Sequence, residues 1–151
     1  MGDFRTIGII GRASDAVGES LKLLTNFLSH RGVSIVLGES IAGLLADNLF
    51  PISSHTKMGE SCDLIIVLGG DGSLLAAARV LARHNVPVLG INRGRLGFLT
   101  DILPDEIEER VGAVLAGEYE IDKRFLLSAV VRRGSEVVGR AEALNDVVVN
   151  S

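Results

Sequence analysis

Short apolar runs recur through the first part of the chain, separated by longer stretches of mixed polarity. Each run has five or six residues and is flanked by polar residues or glycine; the runs cover 6–11, 33–37, 63–68 and 87–91. Runs of this length, the third of them apolar on both faces, are typical of strands buried in a parallel sheet. The sequence therefore predicts four strands in this region.

Most of the stretches between these runs predict helices. After the first run, apolar residues recur at steps of four, three and four, as one face of a helix requires: Val17, Leu21, Leu24 and Leu28. Ser14 or Asp15 is expected to cap that helix. Helices are also predicted over 39–49 and 74–83, and the second is so rich in Leu and Ala that we expect it to be largely buried. Residues 51–60 are polar and aperiodic and predict a loop. This alternation indicates a doubly wound, mostly parallel α/β fold.

The pattern changes after residue 100. Pro104 is expected in the first turn of a helix that Gly117 closes. Residues 125–133 and 136–140 then predict a β-hairpin, and 145–151 predict another strand. Long strands replace the strand–helix alternation, so the chain is predicted to enter a second architecture here.

Two domains follow from this change. We expect an α/β domain over 1–118 and the beginning of a truncated, all-β domain over 119–151. The mean hydropathy of +0.37 is high for a soluble protein, and it indicates surface that is buried against something else.

Composition narrows the class of protein. Of the 151 residues, 47% are hydrophobic, which excludes wholesale disorder. The net charge of −4 lacks the basic character of a nucleic-acid-binding protein. Cys62 has no second cysteine to pair with, which indicates a reducing compartment such as the cytoplasm. Neither a membrane span nor a signal peptide is predicted.

A glycine-rich turn joins the third predicted strand to the next helix. Gly69, Gly70 and Gly72 surround Asp71, and Ser73 is expected to cap the helix. Glycines let a ligand approach the main chain, and the free amides of a helix start favour anions such as phosphate. The alternative is a tight turn in which the glycines serve geometry and the aspartate caps.

Asp71 favours the phosphate-site interpretation. A carboxylate in such a turn repels phosphate unless it has a chemical role, either accepting a proton from a hydroxyl nucleophile or holding Mg²⁺. The turn is neither a P-loop, since no lysine follows, nor a Gly-x-Gly-x-x-Gly fingerprint. Gly8 and Gly11 do not fit that fingerprint either, and we interpret them as close-packing positions.

Two further clusters carry candidate chemistry. In the segment 92–100, Phe98 offers a face for stacking a base or forms part of a core plug, and Arg93 and Arg95 either attract phosphates or are solvated. Asn145–Asp146 interrupts an apolar run. Such a pair suits a ribose diol and base edges, and its alternative is a domain-junction turn with local hydrogen bonds.

Together, Gly69–Ser73, Gly90–Thr100 and Asn145–Asp146 resemble the NAD kinase family over essentially the whole chain. The resemblance implies transfer of the γ-phosphate of ATP, or of polyphosphate in some members, to the 2′-hydroxyl of the adenosine ribose of NAD. The product of that reaction is NADP.

The resemblance also implies roles for single residues. Asp71 corresponds to the family's proton acceptor and Gly72 to its neighbour in contact with NAD. Phe98 corresponds to an aromatic residue of the adenine pocket. Asn145 and Asp146 match the pair that holds the dinucleotide, with Asp146 where many members carry Glu. The family pattern assigns no metal ligand in this chain, although a divalent cation such as Mg²⁺ is implied as cofactor.

Family members continue into a β-rich domain that completes the NAD site and much of the subunit contact. The resemblance therefore implies a homo-oligomer, and we expect the 151 residues alone to be inactive. Two alternatives stay open. One is another kinase with the same turn that acts on a lipid or a sugar. The other is a non-catalytic dinucleotide-binding module.

Overall fold

The computed structural model describes residues 4–91, 102–119 and 126–144. For Asp71 and for 126–133 and 137–144 it describes the backbone. The chain forms two compact units, Met1–Glu120 and Ile121–Ser151, which are described separately below.

The first unit is built on one parallel sheet. Its five strands are β1 (Thr6–Gly11), β2 (Ser34–Gly38), β3 (Ile52–Ser53), β4 (Leu64–Leu68) and β5 (Val88–Ile91). Their order across the sheet is β3-β2-β1-β4-β5, and every neighbouring pair is parallel. The α/β architecture predicted from the sequence is confirmed, with one strand more than the apolar runs indicated.

Helices cover both faces of this sheet. They are α1 (Asp15–Ser29), α2 (Glu39–Ala42), α3 (His55–Ser61), α4 (Asp71–Leu81) and α5 (Ile107–Leu115), with 3-10 turns at Ala82–His84 and Pro104–Glu106. Helices α1 and α5 pack on one face, and α3 and α4 pack on the other. This two-sided cover is the doubly wound arrangement.

Each face of the sheet carries its own apolar core, because successive strand residues point to opposite sides. In β1, Ile7 and Ile9 belong to the core under α1 and α5, and Ile10 belongs to the core under α3 and α4. The smaller core also contains the free thiol of Cys62, whose pKa is raised by burial. Such a thiol stays protonated and acts as a packing group.

Helix α1 follows the sequence prediction closely. Its four predicted core residues are all buried: Val17, Leu21, Leu24 and Leu28. The helix begins after Ser14, whose Oγ accepts a hydrogen bond from the amide of Val17 at 3.2 Å. Gly32, with φ of +75°, follows the end of the helix. A strong helical period and a good cap therefore sufficed to place this element.

Two predictions for residues 39–61 are wrong. The helix predicted over 39–49 ends at Ala42, and a turn with positive φ at Asp47 follows. The stretch predicted as a loop contains β3 and α3. Helix α3 begins after Ser54, whose Oγ accepts from the amide of Lys57 at 3.3 Å. It buries only Met58 and Gly59, which is too few apolar positions to show a period.

Helix α4 also differs from its prediction. Gly70, not Ser73, is its N-cap residue, so the helix begins at Asp71. The Ser73 side chain instead lies over Gly69, where an added Cβ would be 2.6 Å from the Ser73 Oγ. The helix is not largely buried either, because only Ala77 and Leu81 are fully covered within the described structure. One narrow stripe meets the sheet and the rest faces outward.

The second unit is an antiparallel hairpin. Strands β6 (Leu126–Arg133) and β7 (Glu136–Leu144) pair along their length, with a register shift after Val131. Gly134 supplies the positive φ of the turn, at +66°. The predicted hairpin is confirmed. The strand predicted at 145–151 lies outside the described residues.

Among the helices of the described part, none has both the length and the apolar character needed to cross a membrane.

Candidate functional site

The middle of the sheet contains a topological switch point. From β1 the chain proceeds to β2 on one side, and from β4 it proceeds to β5 on the other side, while β1 and β4 are neighbours. The connections therefore leave the carboxyl ends of β1 and β4 in opposite directions. In open α/β sheets this divergence creates the crevice in which ligands bind.

The turn after β4 is held open at this crevice. Gly69 has φ of +153°, and its amide donates to the carbonyl of Ile91 at 2.9 Å. Within the described structure, an added Cβ at Gly70 or Gly72 would meet no heavy atom within 4 Å. Close packing therefore does not account for these two glycines. Both glycines line the cleft described below, where the lack of a side chain permits close approach to the main chain.

The end of β1 forms the opposite wall. A Cβ at Gly11 would lie 2.5 Å from the carbonyl oxygen of Leu68 in the neighbouring strand, so the main chain of β4 leaves no space for a side chain there. Ser40 Oγ donates to the carbonyl of Gly11 at 2.7 Å. A Cβ at Gly8 would lie 2.6 Å from Met58 Cε. The interpretation of Gly8 and Gly11 as close-packing positions is confirmed.

Between these walls lies a cleft of about 470 Å³. It is lined by the end of β1, the start of α3 and one side of α4: Ile10, Gly11, Arg12, His55, Val67, Gly70, Gly72, Ser73, Ala76, Ala77 and Val80. The volume is within the usual range for small-molecule sites, about 300–1,000 Å³. The floor is apolar and the rim is polar.

The electrostatic character of the cleft suits an anion. The first amides of α4 have no acceptor inside their own helix and carry its positive dipole end. Arg12 and His55 line the cleft and add a guanidinium and an imidazole. Among the described residues, neither basic side chain has a hydrogen-bond or ion-pair partner. Both are therefore available to a ligand.

Arg12 and His55 were not predicted from the sequence. Arg12 follows β1 directly, so its position after a strand that ends at the ligand edge was an available signal. His55 is the first residue of α3, which lies inside the stretch predicted as a loop. No local pattern could have placed it beside Arg12.

The structure places only part of the predicted site. Asp71 and Gly72 are the first two residues of α4, and Gly72 lines the cleft. The side chain of Asp71 is outside the description. Phe98, Asn145 and Asp146 lie outside the described residues, so their assembly around one ligand stays a prediction.

The described residues of this chain form no preformed metal-binding site. In residues 4–91, 102–119 and 126–144, no group of three His, Cys, Asp or Glu side chains is arranged to hold an ion.

Comparison with known proteins gives one consistent family. Residues 7–119 match the family of the ATP-NAD kinase N-terminal domain. The NAD kinase of Pseudomonas putida (strain W619) is 56% identical over 151 residues, covering 99% of this chain and 51% of the relative. The NAD kinase of Alcanivorax borkumensis is 57% identical over 149 residues, covering 98% and 50%. The chain thus spans about half the length of the curated relatives it matches.

A solved structure shares the fold. The crystal structure of yeast NADH kinase complexed with NADH superposes with a TM-score of 0.70, covering 93% of this chain and 46% of that chain. The sequence identity is 18%. The similarity therefore concerns the arrangement of the strands and helices.

Proposed function

The chain belongs to the ATP-NAD kinase family, whose N-terminal domain it contains, and we propose that the full-length protein is an NAD kinase. It transfers the γ-phosphate of ATP, or a phosphate of polyphosphate, to the 2′-hydroxyl of the adenosine ribose of NAD. The observation that carries this proposal is the open turn at the switch point, with Asp71 beginning α4 at the edge of an anion-attracting cleft.

Asp71 is the proposed proton acceptor. The ribose O2′ forms a bond to the γ-phosphorus while the bond from that phosphorus to the β,γ-bridging oxygen breaks. The hydroxyl proton passes to the Asp71 carboxylate, and ADP leaves with the electron pair of the broken bond. A base of this kind contributes about 10²–10⁴-fold to the rate.

Most of the remaining acceleration comes from positioning and charge neutralisation, as in other phosphoryl transfers. The amides at the start of α4 face the phosphates and offset their negative charge. Mg²⁺, which we propose as the cofactor, supplies further charge neutralisation on the phosphate oxygens when it is bound.

We propose that NAD is held by residues that follow β4, β5 and β7. Gly72 permits close approach of the dinucleotide to the main chain. Phe98 lines the adenine pocket. Asp146 accepts hydrogen bonds from ribose hydroxyls, and Asn145 donates to or accepts from polar edges of the ligand.

The proposed protein is larger than this chain. Residues 1–118 form its α/β nucleotide-binding domain, and residues from 119 onward begin a β-rich domain that contributes to NAD binding and to contact between identical subunits. The relatives are about twice as long, which supports a protein larger than this chain. We further propose that the protein acts in the cytoplasm, since its single cysteine is a free buried thiol.

The test is Asp71→Asn in the full-length protein. We expect NAD binding to be retained and NADP formation to fall by about 10²–10⁴-fold, because the amide cannot accept the proton. Asp15→Asn is the matched control, since Asp15 also begins a helix, α1, and is not among the residues that line the cleft. Near-normal turnover of Asp71→Asn would refute the assigned role.

A further inference from the structure

The hairpin of the second unit has two faces of different character. Successive residues of a strand alternate between the faces, and the register shows which residue of β7 lies beside each residue of β6. On one face, called the apolar face below, three successive cross-strand pairs are entirely apolar: Leu127 with Ala143, Ala129 with Ala141, and Val131 with Gly139. The two pairs between them belong to the opposite face, and each contains a polar residue: Ser128 with Glu142, and Val130 with Arg140. The hairpin is therefore amphipathic.

A hairpin of this kind needs a covering layer on one side. Two antiparallel strands alone are at best marginally stable in water, and a hydrophobic face packed against a further element is what stabilises them. Covering the apolar face removes no charged group from water, whereas covering the opposite face would desolvate Glu142 and Arg140. The apolar face is thus the one that packing favours.

We propose that the apolar face is covered by the part of the full-length protein that follows Ser151. The inference rests on the proposal that the protein is longer than this chain, and it adds which face of the hairpin lies inside the β-rich domain. The curated relatives are about twice as long as this chain. A segment about as long as the chain itself is therefore available to supply the cover.

A second copy of the chain is another conceivable occupant, and the size of the apolar face argues against it. Residues on one face of a strand are about 6.7 Å apart and paired strands about 4.8 Å apart, so three pairs cover only about 200 Å². A stable interface between proteins buries about 800 Å² on each partner. So small a face does not offset the cost of association between separate chains, which a covalently linked segment largely avoids.

The composition of the apolar face indicates what kind of layer covers it. Four of its six residues are small: Ala129, Gly139, Ala141 and Ala143. Protein interiors are filled to the density of organic crystals, so the facing layer has to supply most of the volume. A sheet packed about 10 Å away, with large apolar residues on its inner face, meets this requirement.

The first experiment measures whether the apolar face is covered in the full-length protein. One variant carries Ala129→Cys on the apolar face, and a second carries Ser128→Cys on the opposite face. A water-soluble maleimide is added to each native protein, and labelling of the new thiol is followed by peptide mass spectrometry. We expect the thiol at position 129 to react at least about a hundredfold more slowly than that at 128, because it reacts only when the packed region opens.

The two variants are matched, since both replace a small residue at neighbouring positions of β6. In concentrated urea the two thiols should react at similar rates, and urea denaturation checks that each variant is folded. Ala141→Cys and Arg140→Cys, which are neighbours in β7, repeat the comparison if Ala129→Cys does not fold. Equal rates in a folded, native pair overturn the inference.

The second experiment identifies what covers the apolar face. A diazirine-bearing aliphatic amino acid replaces Leu127 in the full-length protein, which is then irradiated, and the cross-linked peptides are sequenced by mass spectrometry. We expect cross-links to peptides that follow residue 151. Cross-links to residues 1–120, cross-links between two copies of the chain, or reaction with water alone would each overturn the inference.

Neither measurement uses NADP formation, so the result is separate from that of the kinase proposal. If the wild type makes no NADP while the thiol at position 129 is protected and position 127 cross-links beyond residue 151, the kinase proposal fails and this inference stands. If the wild type makes NADP while both thiols react equally, this inference fails and the kinase proposal stands.

Discussion

Gly59 of α3 lies directly against the imidazole of His84, so that an added Cβ would be 2.5 Å from the His84 Cδ2 and 2.7 Å from its Cγ. His84 ends the 3-10 turn after α4. The absence of a side chain at Gly59 therefore sets how closely α3 and α4 approach. Both helices also contribute residues to the lining of the cleft, His55 from α3 and Ala76 from α4 among them.

Gly59→Ala is expected to destabilise the protein. Alanine gains about 0.5–1 kcal/mol over glycine inside a helix, but overpacking a buried contact costs about 1–3 kcal/mol. The second effect is larger, so we expect a net loss of about 1 kcal/mol in the free energy of unfolding. Urea denaturation of the variant and the wild type measures it.

The double variant Gly59→Ala with His84→Ala isolates the cause. Removing the ring leaves only the Cβ of residue 84, 3.1 Å from the new methyl group, so most of the clash is relieved. Adding Gly59→Ala to His84→Ala is therefore expected to be close to neutral. An equal loss in both backgrounds would show that the imidazole is not what excludes a side chain at Gly59.

The side chain of Asp63 links the N-terminal end of β4 to the N-terminal end of β1. Its Oδ2 accepts hydrogen bonds from the amides of Thr6 and Arg5, both at 2.9 Å. These bonds favour the ionised form and lower the pKa of the Asp63 carboxyl below its ordinary value of 3.8. A lowered pKa stabilises the fold above pH 3.8, and that contribution is lost as the pH falls below this value.

Asp63→Asn should consequently show a pH-dependent defect. At pH 7 we expect a loss of less than about 1 kcal/mol, because the carboxylate is exposed and solvent screens it. The difference from the wild type should shrink below pH 3.8. Urea denaturation between pH 7 and pH 3 measures both. Glu60→Gln, which removes an exposed carboxylate of α3, is the control; a defect that is constant with pH would contradict the assignment.

A polypeptide limited to residues 1–151 is expected to make NADP at least about a hundredfold more slowly than the full-length protein. The relatives are about twice as long, and the proposed NAD contacts at Asn145 and Asp146 fall at the end of this stretch. An NADP-coupled assay of both proteins, purified separately, tests the expectation. Comparable rates would show that the β-rich remainder is dispensable for catalysis.

The periodic spacing of apolar residues and the glycines at the ends of helices and strands were enough to predict much of the fold. Strand β4 is buried at every residue, and helix α1 buries one face from Val17 to Leu28, so their apolar patterns are complete. Helix α3 could not be predicted in this way. It depends on Met58 packing against Gly8 and on Gly59 meeting His84, and these are contacts between distant parts of the chain.

The residues of the candidate site likewise fall into two groups, those that a local pattern predicts and those that it does not. Asp71 and Gly72 could be predicted because one short turn after a buried strand carries the signal. Arg12 and His55 could not be paired, since only the parallel alignment of β1 beside β4 and the position of α3 bring them to one cleft. The positions of Arg12 and His55 relative to each other depend on the tertiary structure, which a local sequence pattern does not contain.

Ile91 and Ile102 pair in a parallel β-bridge, and each is 1% exposed. The segment between them therefore has two buried anchors within the same sheet edge. Because one bridge holds both ends, a substitution that breaks the pairing of Ile91 with Ile102 would release the start and the end of this segment together.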